Sequence, residues 1–148
     1  MKLTFSQGWA KEKHGKRIRT LFDKVKTCST PDLWVKVFFY TRKGYDMKIR
    51  GDAPEPQITT WNGHYRGLFA GHGPFYKDEW KVIKKSRIRN IITLKIGKDC
   101  DDKAIMKLMA HEFAHYLQFR KGKRKKYFRC EHYAKKWANK RMEKISEV

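Results

Sequence analysis

Five consecutive residues of this 148-residue chain, His111-Glu112-Phe113-Ala114-His115, set two imidazoles and a carboxylate in the spacing H-E-x-x-H. On a helix the two histidines lie four residues apart and leave the same face. Both rings can then bind one tetrahedral Zn²⁺, with Glu112 beside them as general base. A catalytic zinc takes three protein ligands and keeps a fourth position for water, so a third ligand is required from another part of the chain.

Cys130, Glu131 and His132 are the candidates, because they open the next helical stretch and all three side-chain types bind zinc. Helical phase separates them. Glu131 falls in line with Ala134, Ala138 and Ile145, flanked by Trp137 and Met142, and so points inward. His132 falls in line with Lys135, Lys136 and Asn139 on the wet face, and Cys130 lies between the two. A glutamate on an apolar face needs a compensating charge, which a zinc ion or a lysine or arginine from elsewhere would supply. Tyr127, Tyr133 and His132 are near enough in sequence to donate a hydrogen bond to a developing oxyanion, and they remain equal candidates.

The elements that must position these residues can be read from periodicity. Gly8 to Cys28 has a helical pattern, with Trp9, Ile18, Leu21, Phe22 and Val25 on one side and Lys11, Lys13, Lys16, Arg17 and Lys24 on the other. Leu33 to Thr41 is rich in β-branched and aromatic residues and reads as a strand covered on both faces. A short strand is expected around 47–50, a proline-rich loop at 52–56, and a hairpin about Asn62-Gly63 with Ile58–Trp61 and His64–Leu68 as its arms. The glycines from Gly67 to Gly73 read as a bend that ends the second arm, without the lysine and hydroxyl of a phosphate loop. Lys81 to Arg89 is basic and weakly patterned, and Ile91 to Ile96 is a strand closed by Gly97. A helix follows from about Asp102 to Arg120, capped by Asp101 or Asp102 and stopped by Gly122, with Ile105, Met109, Phe113, Tyr116 and Leu117 as its core stripe. His14, His64 and His72 read as turn or surface residues outside the site.

Charge narrows the partners. The chain carries 36 Lys+Arg against 15 Asp+Glu, a net charge of +21, and such a field favours polyanions, nucleic acid first and anionic membranes or acidic proteins after it. Basic stretches interleaved with aromatics, Trp80 to Arg89 and Lys121, Lys123, Arg124, Lys125 and Lys126 before Tyr127, could touch phosphates and stack bases. Three cysteines at irregular spacing read as free thiols in a reducing compartment, the cytoplasm. No stretch reaches transmembrane length, and the N-terminal residues lack the apolar run of a signal peptide.

With its strand, its H-E-x-x-H helix and a following Glu131-His132-Tyr133-Ala134-Lys135-Lys136-Trp137-Ala138 segment, the last sixty or so residues resemble the zincin metallopeptidases. They are most similar to the compact SprT-like and ImmA-like groups. The final segment looks like the E-x-x-A-x-x-(aromatic)-A pattern of glutamate-zincins, which implies Glu131 as third ligand. The resemblance implies zinc, peptide-bond hydrolysis, and a substrate that adds as a strand beside Ile91 to Ile96.

The expectation is therefore an α+β fold in one zincin-like domain spanning 1–148. Its parts are an N-terminal basic helix (1–32), a small, mostly antiparallel sheet (33–97), and two zinc-site helices (98–148). The expected activity is that of a zinc endopeptidase acting near nucleic acid on a protein or peptide substrate. The alternative is a basic nucleic-acid-binding module whose zinc site is structural or vestigial.

Overall fold

The computed structural model describes residues 1–40, 65–71, 77–97, 100–120 and 127–146, with 40, 65–71 and 127–130 described by their backbone. The order of elements is β1 (Lys2–Phe5), α1 (Gly8–Val25), β2 (Leu33–Tyr40), β3 (Tyr65–Gly71), α2 (Lys77–Lys84), β4 (Asn90–Gly97), α3 (Asp102–Arg120) and α4 (Tyr127–Ser146). The class is α+β, as expected. The expected strand at 47–50, the turn at Asn62-Gly63, the first arm of its hairpin and the stop at Gly122 lie outside the described residues.

The expected sheet direction is wrong. The four strands lie in the order β1-β2-β4-β3. Among the described strands, β1 runs parallel to β2 and β2 parallel to β4, while β3 is antiparallel, beside β4 at the end of the order. The physical reason is visible in β2 and β4. Parallel strands are sheltered on both faces and read as near-continuous apolar runs, which is what Leu33–Phe39 and Ile91–Ile96 are. The crossover from β1 to β2 is α1, so the first 40 residues form a β-α-β unit. β3 also continues through Gly67 to Gly71 rather than bending away.

Register divides the sheet into two faces. The pairs Val35–Ile92, Val37–Leu94 and Phe39–Ile96 align side by side and enter the main core with Ile18, Phe22, Met109 and Phe113 from α1 and α3. Trp34 and Ile91 point to the other face, where α2 covers them with Ile83, and Ile88 completes the cluster. A 2.6 Å ion pair from Lys36 to Glu79 fastens α2 to that face.

Polar side chains fix the ends of the elements. Gln7 clamps the end of β2, its amide donating to the Phe39 carbonyl at 2.9 Å. Asp101 caps α3 by accepting the Ala104 amide proton at 2.8 Å, and Asp102 pairs with Arg17 of α1 at 2.6 Å. Arg141 of α4 donates to the carbonyls of Val25 and Lys24 at 2.9 and 2.7 Å, which closes the C-terminal end of α1. Asp32, before β2, accepts from the Tyr116 hydroxyl of α3 and, at 2.8 Å, from the Asn90 amide. These contacts hold α3 between α1, the sheet and α4.

Candidate metal centre between two helices

α3 presents its motif because its core stripe, Ile105 to Tyr116, holds over about three turns. Ile105, Met109, Phe113 and Tyr116 are wholly buried, and Leu108 nearly so. That leaves His111 and His115 on the adjoining face, 27% and 13% exposed. Their rings meet edge to face with centroids 5.0 Å apart. Glu112 is buried, 5% exposed.

α4 lies against this face through Ala134 and Ala138, both buried, whose small side chains let the two helices approach closely. Trp137 packs on Phe113 with ring centroids 5.5 Å apart. The phase of that stripe brings Glu131 over both histidines. Its Oε2 lies 3.1 Å from His111 Nε2 and its Oε1 2.7 Å from His115 Nε2. One ligand atom from each of the three residues falls within 4.8 Å of the others, a group that could hold a metal ion.

The donor set suits a cation. Gln118, one turn beyond His115 and only 7% exposed, places its side-chain oxygen 3.1 Å from His115 Nδ1. In the tautomer whose Nδ1 donates to that oxygen, Nε2 of the neutral ring keeps its lone pair toward Glu131. A lone pair facing a carboxylate is repulsive unless a cation stands between them or the ring is protonated. Burial holds the pKa of His111 below its ordinary 6.5, aided by His115 and Lys135 and opposed by Glu131. The neutral, ligand-competent form of His111 is thereby favoured.

A concavity between α3 and α4 opens onto the cluster, lined by Lys107, Leu108, His111, Glu131, Lys135, Ala138 and Asn139. Of the expected accessory residues, Tyr133 is half-buried and His132 is exposed on the outer side of α4. The side chains of Tyr127 and Cys130, and all of Lys121, Lys123, Arg124, Lys125 and Lys126, lie outside the described residues. His14 is not a turn or surface residue: it is half-buried in α1 and stacks on Phe39 at 4.5 Å. Gln118 was not singled out by sequence, although its i+3 spacing from His115 was a readable signal. The strand Ile91 to Ile96 is not an edge, since β2 and β3 pair with its two sides; among the described residues the free edge on this side of the sheet is that of β3.

Compared with known proteins, the chain matches no family model, no curated protein and no solved structure. Among the described residues no helix is long and apolar enough to cross a membrane.

Proposed function

We propose that the chain is a zinc metallopeptidase in which His111, His115 and Glu131 hold the metal and Glu112 is the general base. One observation carries the reading: a single carboxylate of α4 reaches both imidazoles of the α3 motif, at 3.1 and 2.7 Å. Zinc bound there would lower the pKa of a water molecule and polarise a peptide carbonyl.

The chain's own residues supply the rest. Glu112 takes the proton of the attacking water and passes it to the leaving amine. Gln118 holds His115 in the tautomer that binds metal. The concavity beside Lys107 and Lys135 admits the substrate, and the edge of β3 offers backbone groups to an extended peptide. The half-buried Tyr133 is the candidate donor to the oxyanion. The free thiol of Cys28 supports a reducing compartment, the cytoplasm, and the +21 charge supports substrates that lie on nucleic acid.

The test is hydrolysis of an unstructured protein by the zinc-loaded wild type and by Glu112→Gln. Loss of a general base lowers the rate by about 10²- to 10⁴-fold, with zinc content unchanged. Equal cleavage by both proteins would remove Glu112 from its role. Zinc binding with no cleavage by the wild type favours the alternative, a basic nucleic-acid-binding protein whose metal site is structural or vestigial, which draws on the same charge.

A further inference from the structure

We infer that the concavity between α3 and α4 selects peptides by charge, taking an acidic side chain within about two residues of the scissile bond between Lys107 and Lys135. The inference rests on the metallopeptidase reading above and names the substrate class of that site. Two helices each bring one ammonium group to the same groove. Lys107 precedes His111 by four residues on α3, and Lys135 follows Glu131 by four on α4. Each lysine therefore shares the face of a candidate metal ligand and stands about 5.4 Å from it along the helix axis. Both are exposed, and both line the concavity with His111 and Glu131. Lys103, Lys136 and Lys140 of the same helices are exposed as well, yet they form no part of its lining.

The two lysines are open to a ligand. Among the described residues neither forms an ion pair: Asp102, Asp23 and Glu79 pair with Arg17, Lys26 and Lys36, and Glu131 with the two imidazoles. The floor between them is aliphatic, with Leu108 and Ala138 buried, and exposed Asn139 adds an amide. Such a floor covers the methylenes of a glutamate or aspartate while the ammonium groups meet its carboxylate. The volume of about 280 Å³ falls under the about 300–1,000 Å³ of pockets that enclose a whole small ligand, and so suits one side chain of a longer peptide.

Spacing agrees with this. Successive residues of an extended peptide advance about 3.3–3.6 Å, so a carboxylate one or two residues from a carbonyl held at the metal cluster reaches the lysines one turn away. Nucleic acid fits less well, because no aromatic ring lines the groove among the described residues and nothing there stacks a base.

The test separates recognition from cleavage. Short labelled peptides, alike except for glutamate or glutamine at adjacent central positions and amidated at the carboxyl end, are titrated by fluorescence anisotropy into zinc-loaded Glu112→Gln. Exposed charge pairs are individually weak, so the glutamate peptide binds about three- to tenfold more tightly, and the preference shrinks at high salt. Adding Lys107→Gln and Lys135→Gln brings the ratio toward unity, whereas Lys11→Gln with Lys13→Gln, the same charge loss on α1, preserves it. The inference is overturned if the two peptides bind alike, if the groove variant keeps the preference, or if the α1 control loses it equally. It is also overturned if a free carboxyl end on the glutamine peptide gains as much as glutamate does, or if single-stranded DNA, and not the glutamate peptide, is bound in a Lys107- and Lys135-dependent way. Mass-spectrometric mapping of the bonds that the wild type cuts in an unstructured protein keeps the two readings apart. Cleavage without a lysine-dependent preference overturns this inference alone, and the preference without cleavage overturns the peptidase reading alone.

Discussion

Gln118 lies one helical turn beyond His115 and sets its side-chain oxygen 3.1 Å from His115 Nδ1. Where Nδ1 donates in this contact, the lone pair of Nε2 faces the carboxylate of Glu131, so in the proposed site a residue that would bind no metal sets the chemistry of one that would. Such supporting partners are worth about 10- to 100-fold in metal affinity. Gln118→Leu should therefore weaken zinc binding by that factor, measured by competition with a chromophoric chelator, while Gln118→Glu preserves it. Equal affinity in the leucine variant would mean that His115 is oriented by packing alone.

The approach of α3 and α4 rests on small residues. Ala138 is 2% exposed and Ala134 fully buried. Ala138→Leu forces the helices apart, at a cost of about 1–3 kcal/mol in urea unfolding. It also carries Glu131 away from His111 and His115, so zinc affinity falls along with stability. A variant that loses stability and keeps full affinity would show that the ligands do not depend on this spacing.

The buried hydroxyl of Tyr116 donates to Asp32, and Tyr116→Phe should destabilise the fold by about 1–3 kcal/mol. The effect depends on pH. The pKa of Tyr116 is raised well above its ordinary 10 by burial and then by the bond to Asp32. A raised value in the folded state means that stability is fully present below the unfolded value of about 10 and is lost as pH rises toward the folded one. Urea midpoints of wild type and Tyr116→Phe should differ at about pH 8 and converge above about pH 10. A constant difference would show that the hydroxyl does not titrate with the fold.

On the other face of the sheet, Lys36→Ala removes the 2.6 Å ion pair with buried Glu79. Stability should fall by about 1–3 kcal/mol, with zinc affinity unchanged because the metal cluster lies beyond the sheet. The paired change Lys36→Met with Glu79→Gln should recover part of the loss, since no buried charge is left behind. Zinc affinity that fell with Lys36→Ala would couple the two faces.

The residues differ in how openly they declared their places. α3 was legible to its ends because Asp101 caps it and a sustained apolar stripe runs along it. Glu131 was legible by phase, since Ala134 and Ala138 define the buried side of α4. Sheet direction was not. The Asn62-Gly63 dipeptide suggested a hairpin and hence antiparallel pairing, while the doubly covered runs of β2 and β4 carried the parallel signal. β1 was missed because four residues, Lys2–Phe5, are too few to show alternation. α2 was missed because eight residues with one fully sheltered aliphatic, Ile83, hold too little periodicity against their lysines. Gln118 was passed over because a neutral amide attracts no notice until the imidazole it touches is seen.

The central claim is that Glu131, rather than its neighbour His132, completes the site with His111 and His115. Its most direct test is the zinc content of purified wild type, Glu131→Ala and His132→Ala after dialysis against zinc-free buffer. The account predicts stoichiometric zinc in the wild type and in His132→Ala, and its loss in Glu131→Ala. Zinc retained by Glu131→Ala and lost by His132→Ala, or no zinc in the wild type, would contradict it.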